Sequence, residues 1–253
     1  MSLLTIEIYS DLICPWCYIG RRRLGEALKR LELSEPPNIV WRPFELNPDL
    51  PKWSLDRRTY RTAKFGSWER SQAMDREIAE TGKTLGLTFQ YDRVLVTPNT
   101  FDGHRLLWWA KETGSQDALA EALFRAYFSE GRDLGKLDVL AEVAAEVGLS
   151  REHARHFLQS DQGRAEVLAE EREARRHGLN SVPFFFLNAI PTFAGAQPPG
   201  AFIEAFRQVL GTETKRAARS RVPSESLDMI SKKINARTAN SANSCYKLNY
   251  STQ

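Results

Sequence analysis

Two cysteines three positions apart, Cys14 and Cys17, stand where a short apolar run gives way to an amphipathic one. The run from Leu3 to Tyr9 is apolar enough for a buried strand, and within it Ile6 and Ile8 alternate with polar neighbours. After it, Cys17, Gly20, Leu24, Ala27, Leu28 and Leu31 recur at steps of three and four. The opposite face carries Arg21, Arg22, Arg23, Glu26, Lys29 and Arg30, so a helix ending near Leu33 is predicted. Pro15 suits its first turn, where a missing N–H has no intrahelical partner. The segment Cys14-Pro15-Trp16-Cys17 is thus expected at a strand-to-helix junction. There the helix dipole lowers a thiol's pKa from about 8.5, and the thiolate is the nucleophilic form. The i, i+3 spacing also lets the two sulfurs meet within one turn. Thiol–disulfide chemistry is the leading reading.

Other uses of two such cysteines are weaker. A structural zinc site needs four ligands, and no second CxxC or Cys/His pair exists, so no metal is expected. A purely structural disulfide across one turn would close too short a loop to constrain much. Two inert buried thiols remain the bland alternative. The third cysteine, Cys245, lies in a polar C-terminal stretch and reads as a tail residue without a role.

The chain has 253 residues, 42% of them apolar, enough to bury a sizeable core as one or two domains. Three cysteines are too few for a secreted disulfide framework. Glu7 and Asp11 interrupt the apolar N-terminal region, which reads as a first strand and not a secretion signal. No run of 18 apolar residues occurs, so neither a transmembrane helix nor a membrane partner is expected, and the default location is cytoplasmic. From Thr212 onward there are eight basic and three acidic residues, leaving the remainder of the chain at −2 although the whole carries +3. A nearly neutral body gives no electrostatic reason to expect nucleic acid.

A second strand is predicted at Ile39 to Phe44, with Pro43 marking an edge or an end. Helical patterns follow: an apolar stripe of Ala118, Leu119, Ala122, Leu123 and Ala126, and another of Leu137, Leu140, Ala144 and Val147 stopped by Gly148. Ser150 is placed to cap a short helix with Ala154, Phe157 and Leu158 inward. A charged helix from Asp161 to His177 ends at Gly178 and reads as a solvated face. Strands are expected at Pro183 to Asn188 and Ile190 to Phe193, joined tightly at Asn188-Ala189 as a hairpin. A last helix from Pro199 to Leu210 would be closed by Gly211, and residues 212–253, rich in Ser, Asn, Thr and Lys, read as a disordered basic tail.

The order β-α-β, long helical stretch, β-β-α matches the thioredoxin fold, and five segments resemble one family. The stretch from Ser10 to Gly20 (SDLICPWCYIG) is similar to the active-site segment of DsbA-like oxidoreductases of the FrnE type. Further matches are Pro43 to Pro48, Pro98 to Arg105, Ser181 to Phe185 and Gly195 to Pro198, in the order that family has. The resemblance implies an α/β thioredoxin fold with a large all-helical insertion. Residues 1–44 and 178–211 would form a split thioredoxin-like domain, and residues 45–177 would cap the active site.

By the same resemblance Cys14 is the attacking thiolate and Cys17 the resolving thiol. Pro15 and Trp16 shape the site, and Val182-Pro183 is a loop with a cis proline that offers backbone to an extended substrate. The implied activity is protein-disulfide oxidoreductase, acting on protein or small thiols, with no bound cofactor beyond the Cys14–Cys17 disulfide and with glutathione as co-substrate. Pro-Trp lacks the imidazole of the strongly oxidising DsbA motif and is closer to the Pro-aromatic dipeptide of glutaredoxins, so an intermediate potential, above thioredoxin's approximate −270 mV, is expected. His104 is a candidate for proton transfer, against a structural histidine. His153, His156 and His177 read as solvated, and Trp108 and Trp109 as helical core. Two rivals stay open. One is a glutathione-dependent isomerase or transferase resembling 2-hydroxychromene-2-carboxylate isomerase or kappa-class glutathione transferase, whose relatives carry Ser at the position of Cys14. The other is a binding module whose thiols are incidental.

Overall fold

The computed structural model describes residues 4–219 apart from 32 and 34. Leu3, Cys245 and most of the C-terminal stretch lie outside the described residues. Strand β1 (Thr5–Ser10) turns every second residue inward and leads into helix α1 (Pro15–Leu31). Strand β2 (Asn38–Pro43) pairs parallel with β1, with Ile8 opposite Trp41. Strands β5 (Phe184–Leu187) and β6 (Ile190–Ala194) form the expected hairpin, and β5 runs antiparallel to β1 with Ile8 opposite Phe185. The strand order is β2-β1-β5-β6. Asn188 and Ala189 have φ values of 49° and 63°, the left-handed pair that a two-residue hairpin turn requires.

Between β2 and β5 lies the insertion. It consists of α2 (Arg57–Phe65), α3 (Trp68–Lys83), α4 (Phe101–Ala110), α5 (Gln116–Phe128), α6 (Leu137–Glu146), α7 (Arg151–Gln159) and α8 (Arg164–Arg176). It is helical apart from one ribbon, β3 (Leu55–Asp56) against β4 (Val96–Thr97), whose two-residue strands are too short to show an alternation in sequence. A thioredoxin-like fold with a helical insertion is therefore the architecture of the chain.

Burial follows the predicted faces. Leu119, Ala122, Leu123 and Ala126 of α5 are buried, but Ala118 faces solvent; its small side chain fits either face, and Phe124, Tyr127 and Phe128 widen the inward stripe. Ser150 caps α7 by accepting the His153 N–H, with Ala154, Phe157 and Leu158 inward. Trp108 and Trp109 are half-buried, their rings stacked on Phe157. One helix departs from expectation. α9 (Pro199–Arg219) continues past Gly211. An interior glycine costs only about 1 kcal/mol, and the following stretch contains Glu, Lys, Arg and Ala, all good helix formers.

The insertion is locked onto the sheet at three places that set up the site. Tyr18 of α1 stacks on Phe124 at 5.2 Å and meets Phe89 edge-on at 5.9 Å. Arg21 and Arg22 of α1 pair with Asp117 and Glu121 of α5, so the basic face of this helix is partly used for docking. Gln116 reaches the open edge of β2, accepting the Trp41 N–H at 2.9 Å and donating to the Trp41 carbonyl at 3.1 Å. An edge strand's free groups are thereby satisfied without another strand.

Candidate active site

Helix α1 begins one residue after Cys14, so this thiol stands at a helix N-terminus, where unpaired N–H groups and the helix dipole favour negative charge. Asp11 builds the preceding turn: its carbonyl accepts the Cys14 N–H at 3.0 Å, and the Cys14 carbonyl accepts the Cys17 N–H at 3.0 Å. Both thiols are free and buried, Cys14 at 2% exposure and Cys17 at 0%. Burial pushes the Cys17 thiol well above its ordinary range, and the adjacent Cys14 adds to the rise. The Ser10 hydroxyl and the Asp11 backbone, both beside the sulfur, act against the rise.

The loop before β5 meets this turn. The Cys14 thiol donates to the Val182 carbonyl at 3.7 Å. The Val182–Pro183 bond is cis, and the Pro183 carbonyl accepts the Gly195 N–H at 2.7 Å. Helix α1 approaches this loop at Gly20, where an added Cβ would lie 3.1 Å from Pro183 Cγ and 3.3 Å from Phe185 Cζ. Pro15 is buried, and Trp16 is half-buried against the core. The candidate residues from the two ends of the sequence are thus brought together.

His104 also arrives here. It is 2% exposed, its Nε2 lies 3.9 Å from Asp11 Oδ1 without a hydrogen bond, and burial pushes its pKa down to about 3. The imidazole is neutral at physiological pH, so this contact is not an ion pair. His153, His156 and His177 are exposed, as their polar surroundings suggest.

Sequence reasoning missed the acids around His104. Asp11 is fully buried and accepts from Ile13 N–H at 3.3 Å, Leu46 N–H at 2.7 Å and the Thr100 hydroxyl. Burial nonetheless raises its pKa. Glu45, 3% exposed, is pushed up to about 9 by burial and then by the charges of Glu171 and Asp11. Glu171 of α8 accepts the Glu45 N–H at 2.7 Å, and burial raises its pKa too. Arg175 of the same helix donates to the Glu45 carbonyl at 2.7 Å and lies over the Phe44 ring at 4.4 Å. Thus α8, expected to be solvated, buries one acid, Glu171, on the face it shares with Val167 and Ala174. The available signal was that Asp11 and Glu45 both lie inside the motif segments; residue type alone points such acids outward.

A polar cleft opens beside Ile13, lined among others by Asn47, Arg57, Tyr60, Arg61 and Lys64. Arg57 and Arg61 both pair with the buried Asp75, at 2.7 and 2.9 Å. Lys64 donates to the Asn47 side chain at 2.6 Å and feels the charges of Asp11 and Cys14. Among the described residues no group of three or more His, Cys, Asp or Glu is arranged to hold a metal ion, and no helix is long and apolar enough to cross a membrane.

Residues 5–207 match the family model of the DSBA-like thioredoxin domain. A probable DsbA oxidoreductase of Streptomyces coelicolor superposes with a TM-score of 0.76 at 35% identity, over 89% of this chain and 94% of that one. The uncharacterized protein YwbO of Bacillus subtilis is 27% identical over 214 residues, 83% of this chain and 98% of its own length. The cytosolic disulfide reductase DsbM of Pseudomonas aeruginosa, solved with glutathione, shares the fold at 19% identity, with a TM-score of 0.54 over 84% of this chain and 99% of that one.

Proposed function

Because the chain belongs to the DSBA-like thioredoxin domain family, we propose that it is a thiol–disulfide oxidoreductase in which Cys14 attacks and Cys17 resolves. The observation that carries this reading is the meeting of Cys14, at the start of α1, with the Val182 carbonyl beside Pro183. A substrate thiolate attacks the oxidised form at Cys14 and leaves a mixed disulfide; a second thiol releases the product and the reduced enzyme. In the other direction the Cys14 thiolate attacks, and Cys17 expels the substrate thiol. An extended substrate segment pairs with the Val182 backbone.

The reading extends to glutathione as co-substrate. Arg57, Arg61 and Lys64 line the cleft beside Ile13, with Asp75 paired to both arginines, a surrounding that suits a thiol bearing carboxylates. It also extends to a cytoplasmic setting, where the reduction of oxidised thiols is the favoured direction. A glutathione-dependent isomerase has no need of a resolving thiol, and Cys17 argues against it.

The test is titration of the protein against reduced and oxidised glutathione, followed by Trp fluorescence, with Cys14→Ser as control. A reversible two-electron transition between roughly −150 and −270 mV, absent from the control, is the expected result. If no Cys14–Cys17 disulfide forms, the proposal fails and the isomerase or transferase takes its place.

A further inference from the structure

Of the three successive arginines of α1, two reach the insertion: Arg21 pairs with Asp117 and Arg22 with Glu121, both on α5. The third turns elsewhere. Arg23, half-buried, donates through Nη1 to the backbone carbonyl of Ala196, in the loop 195–198 between β6 and α9. A guanidinium on a carbonyl makes a charge-assisted hydrogen bond. This one joins the helix that begins at the CPWC turn to a segment 173 positions later.

That loop is braced within itself. The Gln197 N–H donates to the Gly195 carbonyl at 2.9 Å, and Gln197 Nε2 to the Ala194 carbonyl at 2.8 Å. The Gly195 N–H in turn donates to the Pro183 carbonyl at 2.7 Å, so what holds this loop also holds Pro183 and the Val182 carbonyl before it. One turn ahead of Arg23, α1 has Gly20, where a Cβ would stand 3.1 Å from Pro183 Cγ and 3.6 Å from Ala196 Cα. Gly20 lets the loop approach, and Arg23 ties it there. The Val182 carbonyl accepts the Cys14 thiol proton at 3.7 Å. Once Cys14 is in a disulfide its sulfur has no proton to donate, and the carbonyl is open to an N–H of the substrate.

We propose that Arg23 is a positioning residue for peptide substrates: by tying the Ala196 carbonyl to α1 it holds the Val182 carbonyl in register with Cys14. The proposal rests on the thiol–disulfide reading above. Arg23 acts through a chain of bonds, from Ala196 to Gly195, to Pro183 and so to Val182. The site thereby favours a thiol carried in an extended peptide, which brings a backbone N–H to the Val182 carbonyl. A small thiol without a peptide backbone brings none and depends on the sulfurs alone.

The experiment is stopped-flow reduction of the oxidised full-length protein by two thiols. One is a short linear peptide with a central cysteine and blocked ends, the other mercaptoethanol. The readout is the ratio of the two rate constants, compared between variant and wild type so that intrinsic thiol reactivity cancels. Arg23→Met keeps the packing of the stem and removes the donors. It is expected to lower the ratio about threefold to tenfold, the effect of one net hydrogen bond. Arg23→Lys keeps a charged donor and is expected to return the ratio to within about twofold of the wild type. Arg23→Gln, too short to reach the Ala196 carbonyl, is expected to behave as Arg23→Met and replaces it if that variant does not fold. A ratio unchanged by loss of the guanidinium overturns the proposal, including the case where both rates fall together as a merely structural role requires. An Arg23→Lys ratio as low as that of Arg23→Met overturns it too. If the wild type forms no Cys14–Cys17 disulfide, the parent reading falls with it; a disulfide reduced by both thiols in a ratio indifferent to Arg23 leaves that reading intact.

Discussion

Two buried titratable groups near the dithiol respond to pH with opposite signs. His104 has a folded pKa of about 3 against an ordinary 6.5, so between those values the unfolded chain binds the extra proton. Its contribution to stability is complete above about 6.5 and is lost as pH falls toward 3. Glu45 is raised to about 9 from 4.5, so between those values the folded chain binds the extra proton, and its contribution is lost as pH rises. Each group contributes a slope of at most about 1.4 kcal/mol per pH unit. Glu45→Gln is therefore expected to gain stability relative to the wild type from pH 5 to 9 and to level off above that. His104→Gln is expected to lose less than the wild type below pH 6. Urea denaturation at half-unit steps of pH measures both, and parallel curves for wild type and variants would contradict these assignments.

Helix α1 carries two interior glycines with different neighbours. At Gly20 an added methyl meets Pro183, whose carbonyl is tied to Gly195, and Phe185, which is wedged against Phe193 and Phe202 at 5.3 and 4.9 Å. Neither ring can yield, so Gly20→Ala is expected to destabilise the protein by about 1–3 kcal/mol and to slow exchange by moving the Val182 carbonyl off Cys14. At Gly25 the close atom is the end of the Arg21 side chain at 3.1 Å, which can swing aside. Gly25→Ala is expected to stabilise by about 0.5–1 kcal/mol, the helix-propensity gain, with unchanged exchange. Chemical denaturation and a disulfide-exchange assay on the pair check both outcomes. The same helix shows what could be read in advance. Its inward face, the CPWC position, the hairpin at Asn188-Ala189 and the Ser150 cap follow from local spacing and turn chemistry, and each is where it was expected. The docking of Arg21 and Arg22 on α5, the Gln116 clamp on β2 and the buried acids do not follow from spacing. Each depends on a partner about 75–130 positions away, and a polar residue facing such a partner looks in sequence like one facing water.

At the scale of the whole molecule, one hydrophobic core runs through the sheet, α1 and the insertion, from Ile6 and Cys17 to Phe124 and Leu140. Gln116 on β2 and Glu171 on Glu45 fasten the two parts further. Thermal unfolding is therefore expected as a single transition, with equal calorimetric and van't Hoff enthalpies. Two resolved transitions in scanning calorimetry would show that the insertion melts on its own. The placement of the insertion also bears on how the chain is made. Strand β1 has β5 as its antiparallel neighbour, with Tyr9 opposite Phe184, so roughly 175 residues are synthesised between the two. At about 5–20 residues per second this is on the order of 10–35 s during which the first strand waits on the ribosome for its partner. Val182 and Pro183 are made only at the end of that interval. Until then the nascent chain carries both cysteines without the loop that covers them, and they depend on the redox state of the surroundings to stay unpaired with other thiols.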